Sequence, residues 1–282
     1  MQLHRKECDV KITALVENQG QGAMKPKHGL ALHIKTRNHV ILFDVGPDDT
    51  LFENAERMHI DLSLVDTVII SHGHYDHGGA LRHFLEVNTQ ATVYVQRSAF
   101  EKHSSKLLGI KIPVGLDPSL KNHPRIVLLD GDTVIDDELR LFTVEQSDSL
   151  THSDANDSLY ENGRTDSFRH EQNLVICEDV TVLVLGCGHS GIVDIMRKGK
   201  TFGPTHCIGG YHLYNPLFRK TVGRDVLDAI AHQLADYPHV QFHTCHCTGK
   251  RAYTYLAARL PNMEYLSCGD TLVFEGSGKG MD

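Results

Sequence analysis

Ser71-His72-Gly73-His74-Tyr75-Asp76-His77-Gly78-Gly79 places four potential metal ligands within six residues. Just before it, Val65-Asp66-Thr67-Val68-Ile69-Ile70 is a short β-branched run of the kind that fills a buried strand. After it, Gly78-Gly79-Ala80-Leu81 leads into a helical pattern reaching about Val87. The ligands therefore fall on a loop leaving a strand's C-terminal end and on the first turn of the next helix. Imidazoles at i, i+2 and a carboxylate–imidazole pair at i, i+1 cannot all serve one small ion from regular structure, but they can be divided between two adjacent ions. A solvated His-rich loop or a tag is the bland alternative, since the chain has 20 histidines. A tag would be terminal and homopolymeric, whereas this stretch is internal and interleaved with Gly and Asp.

Working outward toward the N-terminus, the sequence predicts a strand over Asp9 to Val16 and a second over Gly29 to Ile34. Its hairpin partner is Val40 to Phe43, which ends in Asp44-Val45-Gly46-Pro47. A carboxylate at a strand end followed by a turn is placed to accept a hydrogen bond from a metal-bound imidazole. An ordinary turn aspartate is the competing reading of Asp44. His28 precedes Gly29 and reads simply as polar. A helix follows over Asp48 to Met58.

Toward the C-terminus the pattern strand, ligand loop, helix recurs. One strand ends in Gly186-Cys187-Gly188-His189-Ser190-Gly191, a second in Gly209-Gly210-Tyr211-His212-Leu213 and a third in Cys245-His246-Cys247-Thr248-Gly249. Taken alone, His189 would read as a capping or core histidine and His212 as a hydrogen-bonded structural one. Four strand ends that each deliver histidine place all of them on one edge of a pair of sheets. This suits an α/β four-layer αββα sandwich with a metal cleft along that edge. On an extended segment Cys245 and Cys247 point opposite to His246, which favours His246 as ligand with the cysteines packed behind it. A thiolate ligand is the rival.

A single domain over residues 1–282 is expected, with candidate lid segments at 97–124 and 146–170. The first is broken up by Gly109, Pro113, Gly115, Pro118 and Pro124, and the second is polar and rich in Ser and Asp. Apolar residues make up 40% and charged residues 23%, as in a soluble globular chain, and the net charge is −8. That charge exerts no general pull on nucleic acid or anionic membrane. No stretch approaches the roughly 20 apolar residues of a membrane span. Residues 1–10 lack the apolar core of a secretory signal. Seven cysteines are an odd number for a disulfide framework, and a reducing cytoplasm is the expected setting.

The pattern His-x-His-x-Asp-His at residues 72–77, taken with Asp44-Val45-Gly46, Glu171-Gln172 and the loops at 186–191, 209–213 and 246–249, resembles the metallo-β-lactamase superfamily over nearly the whole chain. It looks like the branch similar to 7,8-dihydropterin-6-methyl-4-(β-D-ribofuranosyl)aminobenzene 5′-phosphate synthases. The resemblance implies the αββα fold and two divalent metal ions. It assigns His72 and His74 to the first ion and Asp76, His77 and His246 to the second. His170 occupies about the place where many members carry a third ligand of the first ion, beside Glu171. Many members also have a bridging Asp where this chain has Cys187-Gly188-His189. His189 is therefore expected to replace it or to serve the first ion. His212 is expected at the substrate mouth as a catalytic group.

Zinc suits such donors, and manganese or iron(II) also fit. The flavodiiron oxidoreductases of this fold carry Glu where His74 stands, which favours hydrolysis. Two ions about 3.5–4 Å apart can bridge a hydroxide, with Asp76 orienting it for attack on an ester, lactone or phosphoester-type small molecule. A pterin-linked transferase and a non-catalytic ligand-binding protein are the alternatives. A small-molecule substrate, phosphorylated or pterin-like, would use flat rings among Tyr75, Tyr160, Phe168, Tyr211 and Tyr214. Arg169, Lys220 and Arg224 are available for a phosphate, although solvated surface charge is their ordinary role.

Overall fold

Val40-Ile41-Leu42-Phe43 shows how the layers arise. Successive strand side chains point to opposite faces. Ile41 and Phe43 enter one cluster of buried residues and Leu42 enters another. In Thr181–Val184, likewise, Val182 and Val184 share the cluster of Ile41, while Leu183 faces away from it. Such strands are apolar on both faces because each sheet is covered on both sides.

The computed structural model describes residues 10–107, 109–145 and 153–275. One seven-stranded sheet runs in the order Thr271–Phe274, Val10–Val16, Ala31–Lys35, Val40–Phe43, Thr67–Ile69, Thr92–Gln96 and Ile126–Leu129. The other runs Met263–Tyr265, Gln241–Thr244, His206–Gly209, Thr181–Val184, Asn173–Cys177, Leu139–Phe142 and Thr133–Val134. The central core between them contains Ile12, Leu32, Phe43 and Ile69 from the first sheet and Leu141, Ile176, Val184 and Ile208 from the second. Helices Thr50–Arg57 and Leu81–Val87 pack outside the first sheet through Leu51, Ala55, Leu81 and Phe84. Helices Ile192–Gly199, Arg224–Leu234 and Lys250–Ala257 cover the second through Ile195, Ile230 and Leu256. This is the expected αββα sandwich.

Each sheet contains a parallel block. In the first, Val40–Phe43, Thr67–Ile69, Thr92–Gln96 and Ile126–Leu129 are parallel. In the second, Thr181–Val184, His206–Gly209, Gln241–Thr244 and Met263–Tyr265 are parallel. Parallel strands need crossovers, so all their C-terminal ends lie on one side. The loops that follow Phe43, Ile69, Val184, Gly209 and Thr244 meet there.

The irregular reading of 97–124 and 153–170 needs correction. His103–Leu107 and Ile110–Pro113 form a hairpin, which Leu159–Glu161 and Arg164–Thr165 extend into a four-stranded sheet. Its strands are short, polar and partly exposed, so they carry little of the apolar alternation that reveals a strand. Residues 146–152 of the second candidate lid lie outside the described residues. The chain's last strands also join late, since Thr271–Phe274 pairs with Val10–Val16 and Met263–Tyr265 with Gln241–Thr244. No helix among the described residues is long and apolar enough to cross a membrane, and the six described cysteines are free thiols.

Candidate metal centre

The loop after Ile69 is fixed by Asp44, which is fully buried. Its carboxylate accepts the Ser71 backbone N–H at 2.7 Å, the Ser71 hydroxyl at 2.7 Å and the His77 Nδ1–H at 2.6 Å. Ser71 Oγ in turn lies 2.8 Å from His72 Nδ1. Gly186 makes this contact sterically feasible, since a Cβ there would lie 2.1 Å from Ser71 Oγ. The chain then splits the motif. His72 and His74 precede a helical turn, Tyr75–Gly78, on which Asp76 and His77 sit, with His74 at its N-cap.

Two adjacent groups of donors result. His72, His74 and His189 offer ligand atoms all within 4.8 Å of one another. The Nε2 atoms of all three are buried and have no hydrogen-bond partner. In the second group His77 Nε2 lies 3.3 Å from His246 Nε2, and Asp76 Oδ2 lies 3.8 Å and 3.4 Å from these two nitrogens. A buried, unpartnered polar atom costs about 1–3 kcal/mol. Several of them converging on one point is a cost that a cation removes, so these residues fit divalent ions.

The electrostatics agree with this. Burial pushes His72, His74 and His189 well below the ordinary imidazole range, and neighbouring imidazoles push further, leaving neutral rings. Burial also opposes charge on His77, but the carboxylates of Asp44 and Asp76 outweigh it and raise the ring to about 9. Burial works against an ionised Asp76, yet His77, His246 and His28 hold its carboxyl well below the usual carboxylate range. Donors of opposite tendency are thus in contact, and a cation can take the place of the proton they share.

The late histidines are aimed by two asparagines. Asn156 Nδ2 donates to the His189 carbonyl at 2.9 Å, and its Oδ1 faces His189 Nδ1 at 2.8 Å. Asn18 Nδ2 donates to the His246 carbonyl at 3.2 Å, and its Oδ1 faces His246 Nδ1 at 2.9 Å. In each case the backbone contact fixes which way the amide points. The oxygen then holds the proton on Nδ1 and leaves Nε2 as the inward lone pair. Glu171 accepts the N–H groups of His189 and Ser190 at 2.7 and 2.8 Å, and Glu17 accepts that of His246 at 2.6 Å. Sequence spacing gives no signal for Asn18, Glu17 or Asn156. Replacing Asn156 by leucine is expected to weaken metal binding about 10–100-fold, measured by competition with a chromophoric chelator. Unchanged affinity would reduce Asn156 to a packing residue.

His170 is engaged on both sides. Its Nδ1 accepts the Gly73 N–H at 2.9 Å, and Nε2 lies 3.2 Å from Asp166 Oδ2. Asp166 also meets His103 Nδ1 at 3.1 Å, and His103 Nε2 faces the Ser98 carbonyl. The three residues tie the hairpin over the site to the ligand loop. Burial opposes charge on Asp166, but hydrogen bonds from His103 and His170 drive its carboxyl far down. Burial likewise opposes charge on His103, and Asp166 raises it. A depressed carboxyl stabilises above its unfolded value, about 3.9, and loses this as pH falls. A raised imidazole stabilises below its unfolded value, about 6.5, and loses this as pH rises. The pair therefore contributes most between these values. Asp166→Asn should flatten the stability profile there, read from melting temperature against pH. An unchanged profile would show that the pair is not linked to folding.

Asp76, His212 and His189 line a cavity of about 330 Å³ together with His28, Tyr75 and Cys187. His28 Nε2 stands 3.3 Å from Asp76 Oδ2, so it is a neighbour of the donors rather than a merely polar residue. His212, in the left-handed region at φ 46°, packs its ring 4.1 Å from that of His189, and its Nδ1 is buried without a partner. A larger cleft of about 1070 Å³ shares His246, Ala155, Ser158 and Asn215 with this cavity, and Tyr160, Tyr214 and Lys220 line it. Phe168 instead stacks on His189 at 4.4 Å, Tyr211 is fully buried, and Arg169 lines a separate depression. Arg224 lines neither opening to the site.

The family model of the metallo-beta-lactamase superfamily matches residues 25–158, the part that carries Asp44 and the whole histidine motif. An uncharacterized protein of Methanocaldococcus jannaschii, MJ0448, is 25% identical over 263 residues, spanning 90% of this chain and 96% of the relative. The 7,8-dihydropterin-6-methyl-4-(beta-D-ribofuranosyl)-aminobenzene-5'-phosphate synthase of the same organism is 28% identical over 235 residues, spanning 74% and 79%. The crystal structure of Tm1679, a metal-dependent hydrolase of the beta-lactamase superfamily, superposes with a TM-score of 0.77 at 25% identity, covering 94% of this chain and 99% of that one. With the αββα sandwich, the His-x-His-x-Asp-His loop and the donors gathered at the strand ends, the chain has the fold of the metallo-beta-lactamase superfamily, and residues 25–158 match that superfamily's family model.

Proposed function

We propose that the protein is a metal-dependent hydrolase with a two-ion centre, acting on an ester, lactone or phosphoester-type small molecule. The observation that carries this reading is the convergence of unpartnered Nε2 atoms from His72, His74 and His189 beside the Asp76–His77–His246 group, at the floor of a cavity. His72, His74 and His189 would hold one ion, and Asp76, His77 and His246 the other. Zinc is the favoured ion, with manganese or iron as competitors. Ions held there would supply Lewis acidity toward a carbonyl or phosphoryl group and a nucleophile at neutral pH.

The chain's own residues supply the rest. Asp76 directs an anionic oxygen from the second group into the cavity and orients the attacking group. His28, 3.3 Å from Asp76 and lining the mouth, is placed to relay a proton from that carboxylate. His212 lines the same cavity beside His189 and is the candidate to act on the leaving group. Ile112 on the hairpin and Val114 just after it wall one side of the cavity.

A second reading, transfer to or from a pterin-like phosphorylated substrate, is favoured by the adjoining cleft. Tyr160, Tyr214 and Phe218 offer rings there, and Lys106, Lys250 and Arg251 offer cations. The named synthase relative points the same way. A non-catalytic ligand-binding role is the third option. The net charge of −8 favours neither nucleic acid nor anionic membrane as partner, and the free thiols suit a cytoplasmic setting.

The test is metal content of the purified protein, followed by turnover of a phosphodiester, a lactone and a thioester against a dihydropterin pyrophosphate. Two ions per chain with hydrolysis of the first group supports the proposal. Turnover confined to the pterin compound moves the assignment to the transferase. Fewer than two ions with no turnover overturns both.

A further inference from the structure

The metal cavity and the larger cleft meet at one short ribbon, in which Tyr214–Asn215 pairs with Lys220–Thr221. At its tip two consecutive residues divide between the two spaces. Leu217 lines the metal cavity, and Phe218 lines the cleft. One buried side chain fixes this division. Asn215 Oδ1 accepts the N–H groups of Leu217 and Phe218 at 3.0 and 3.2 Å, which sets the turn. Its Nδ2 donates to the Ala155 carbonyl at 3.1 Å and to Ser158 Oγ at 3.2 Å, both on the 3₁₀ turn Asp154–Ser158. That turn also carries Asn156, which aims His189. On the ribbon's first strand, Tyr214 packs against Gly249, where an added Cβ would lie 2.6 Å from the Tyr214 Cβ. Gly249 ends the turn His246–Thr248. The tip is thereby held at a set position relative to both late histidines.

We propose that Leu217 is a specificity-determining residue, limiting the group beside the scissile bond to an apolar one the size of a single ring. The inference rests on the metal-dependent hydrolase reading above. The cavity is polar where the donors gather and apolar where Ile112, Val114, Leu159, Pro216 and Leu217 line it. Apolar walls offer a substrate no hydrogen bonds, so they select by size and shape. At about 330 Å³ the cavity stands at the lower end of small-molecule sites, which span about 300–1,000 Å³. An apolar space of about 150 Å³ accommodates benzene. With the reacting group held at the donors, the remaining space takes one ring or a short alkyl chain rather than two fused rings.

Leu217 is the member of this wall least tied to the fold. Ile112 and Leu159 sit on strands of the small sheet over the site, and the Val114 carbonyl accepts the Tyr75 N–H at 2.8 Å beside the first motif. Leu217 lies on a turn, is half-buried, and belongs to none of the three apolar core clusters. Its side chain therefore answers to the cavity and not to the core, and its size can change without repacking a sheet.

The test is calorimetric binding of acetate, benzoate and 2-naphthoate, which stand in for the acid product of ester cleavage, to the zinc-loaded full chain, with metal content measured in parallel. Wild type should bind benzoate more tightly than either acetate or 2-naphthoate, by about tenfold. Leu217→Ala should move the preference toward 2-naphthoate by about tenfold, and Leu217→Trp should weaken benzoate by about tenfold while leaving acetate unchanged. Arg219→Ala, at a tip residue that lines only the cleft, should keep the wild-type order. Absent or equal affinity for the three acids in a wild-type protein holding two ions overturns the inference and leaves the hydrolase reading standing. So does an order that both Leu217 variants leave unchanged, or one that Arg219→Ala shifts as Leu217→Ala does, since the tip's conformation and not the Leu217 side chain would then set it. Fewer than two ions in wild type instead overturns the reading on which the inference rests.

Discussion

Replacing Asp44 by alanine is expected to cost about 3–5 kcal/mol of stability and most of the metal affinity, the largest combined effect of any single change. One fully buried carboxylate accepts three hydrogen bonds, from the Ser71 N–H, the Ser71 hydroxyl and His77 Nδ1. Removing it leaves a buried amide and a buried imidazole unpaired, each worth about 1–3 kcal/mol, and breaks a buried pair whose loss typically costs about 3–5 kcal/mol. Asparagine at the same position separates packing from tautomer. The amide is isosteric, but it presents an NH₂ to either the Ser71 N–H or His77 Nδ1. If it faces His77, Nδ1 must accept, and the ring proton moves to Nε2, the atom needed as ligand. Asp44→Asn should therefore melt closer to wild type than Asp44→Ala while binding metal about 10–100-fold more weakly. Melting curves with and without chelator, together with metal titration, distinguish the two losses. Wild-type metal affinity in Asp44→Asn would show that the tautomer of His77 is set elsewhere.

Asp44 is legible in the amino-acid sequence because it ends a strand just upstream of the motif. The same logic reads the late histidines. His189, His212 and His246 each follow an apolar strand, and parallel strands flanked by crossovers present their C-terminal ends together. The layer architecture follows from the same alternation, as Ile41, Leu42 and Phe43 illustrate.

What stays hidden depends on contacts that no spacing encodes. Asn18 reaches His246 across 228 residues and Asn156 reaches His189 across 33. Each is an ordinary asparagine until strand pairing brings it into place. His170 sits in sequence where a ligand would, but the Gly73 amide and Asp166 occupy both of its nitrogens. An extended segment would point both Cys245 and Cys247 away from His246. Instead His246–Thr248 is a 3₁₀ turn, with His246 at φ 50°. The alternation breaks there. Cys245 stays in the central core, while Cys247 swings to the site beside Cys187. The hairpin over the mouth escapes a periodicity argument because strands such as His103–Leu107 carry Ser and Lys rather than an apolar stripe.

Asp76→Asn is expected to abolish turnover, by at least about 10²-fold, as losses of a directly acting charged group at a reacting centre do, and to lower metal content toward one ion per chain. Asp76 Oδ2 is the anionic oxygen of the group with His77 and His246, at 3.8 and 3.4 Å. The neutral amide keeps the shape but not the charge, so that group loses its strongest electrostatic attraction for a cation. The fold should survive, because Asp76 contributes to the loop through its backbone, where its carbonyl accepts the Leu30 N–H at 3.2 Å. A melting temperature near wild type in the metal-free state, with lowered stoichiometry in the loaded state, is the expected pair of results. The contrast with Asp44 then tests the division into two groups. Asp44 supports His77 directly and His72 through Ser71, so its loss should weaken both ions. Among the described residues the Asp76 carboxylate forms its ion pairs with the second group and His28, so its loss should largely spare the ion held by His72, His74 and His189. If both variants lose both ions together, the two groups act as one cooperative site. If Asp76→Asn keeps two ions and full turnover, the carboxylate takes no part in the proposed chemistry.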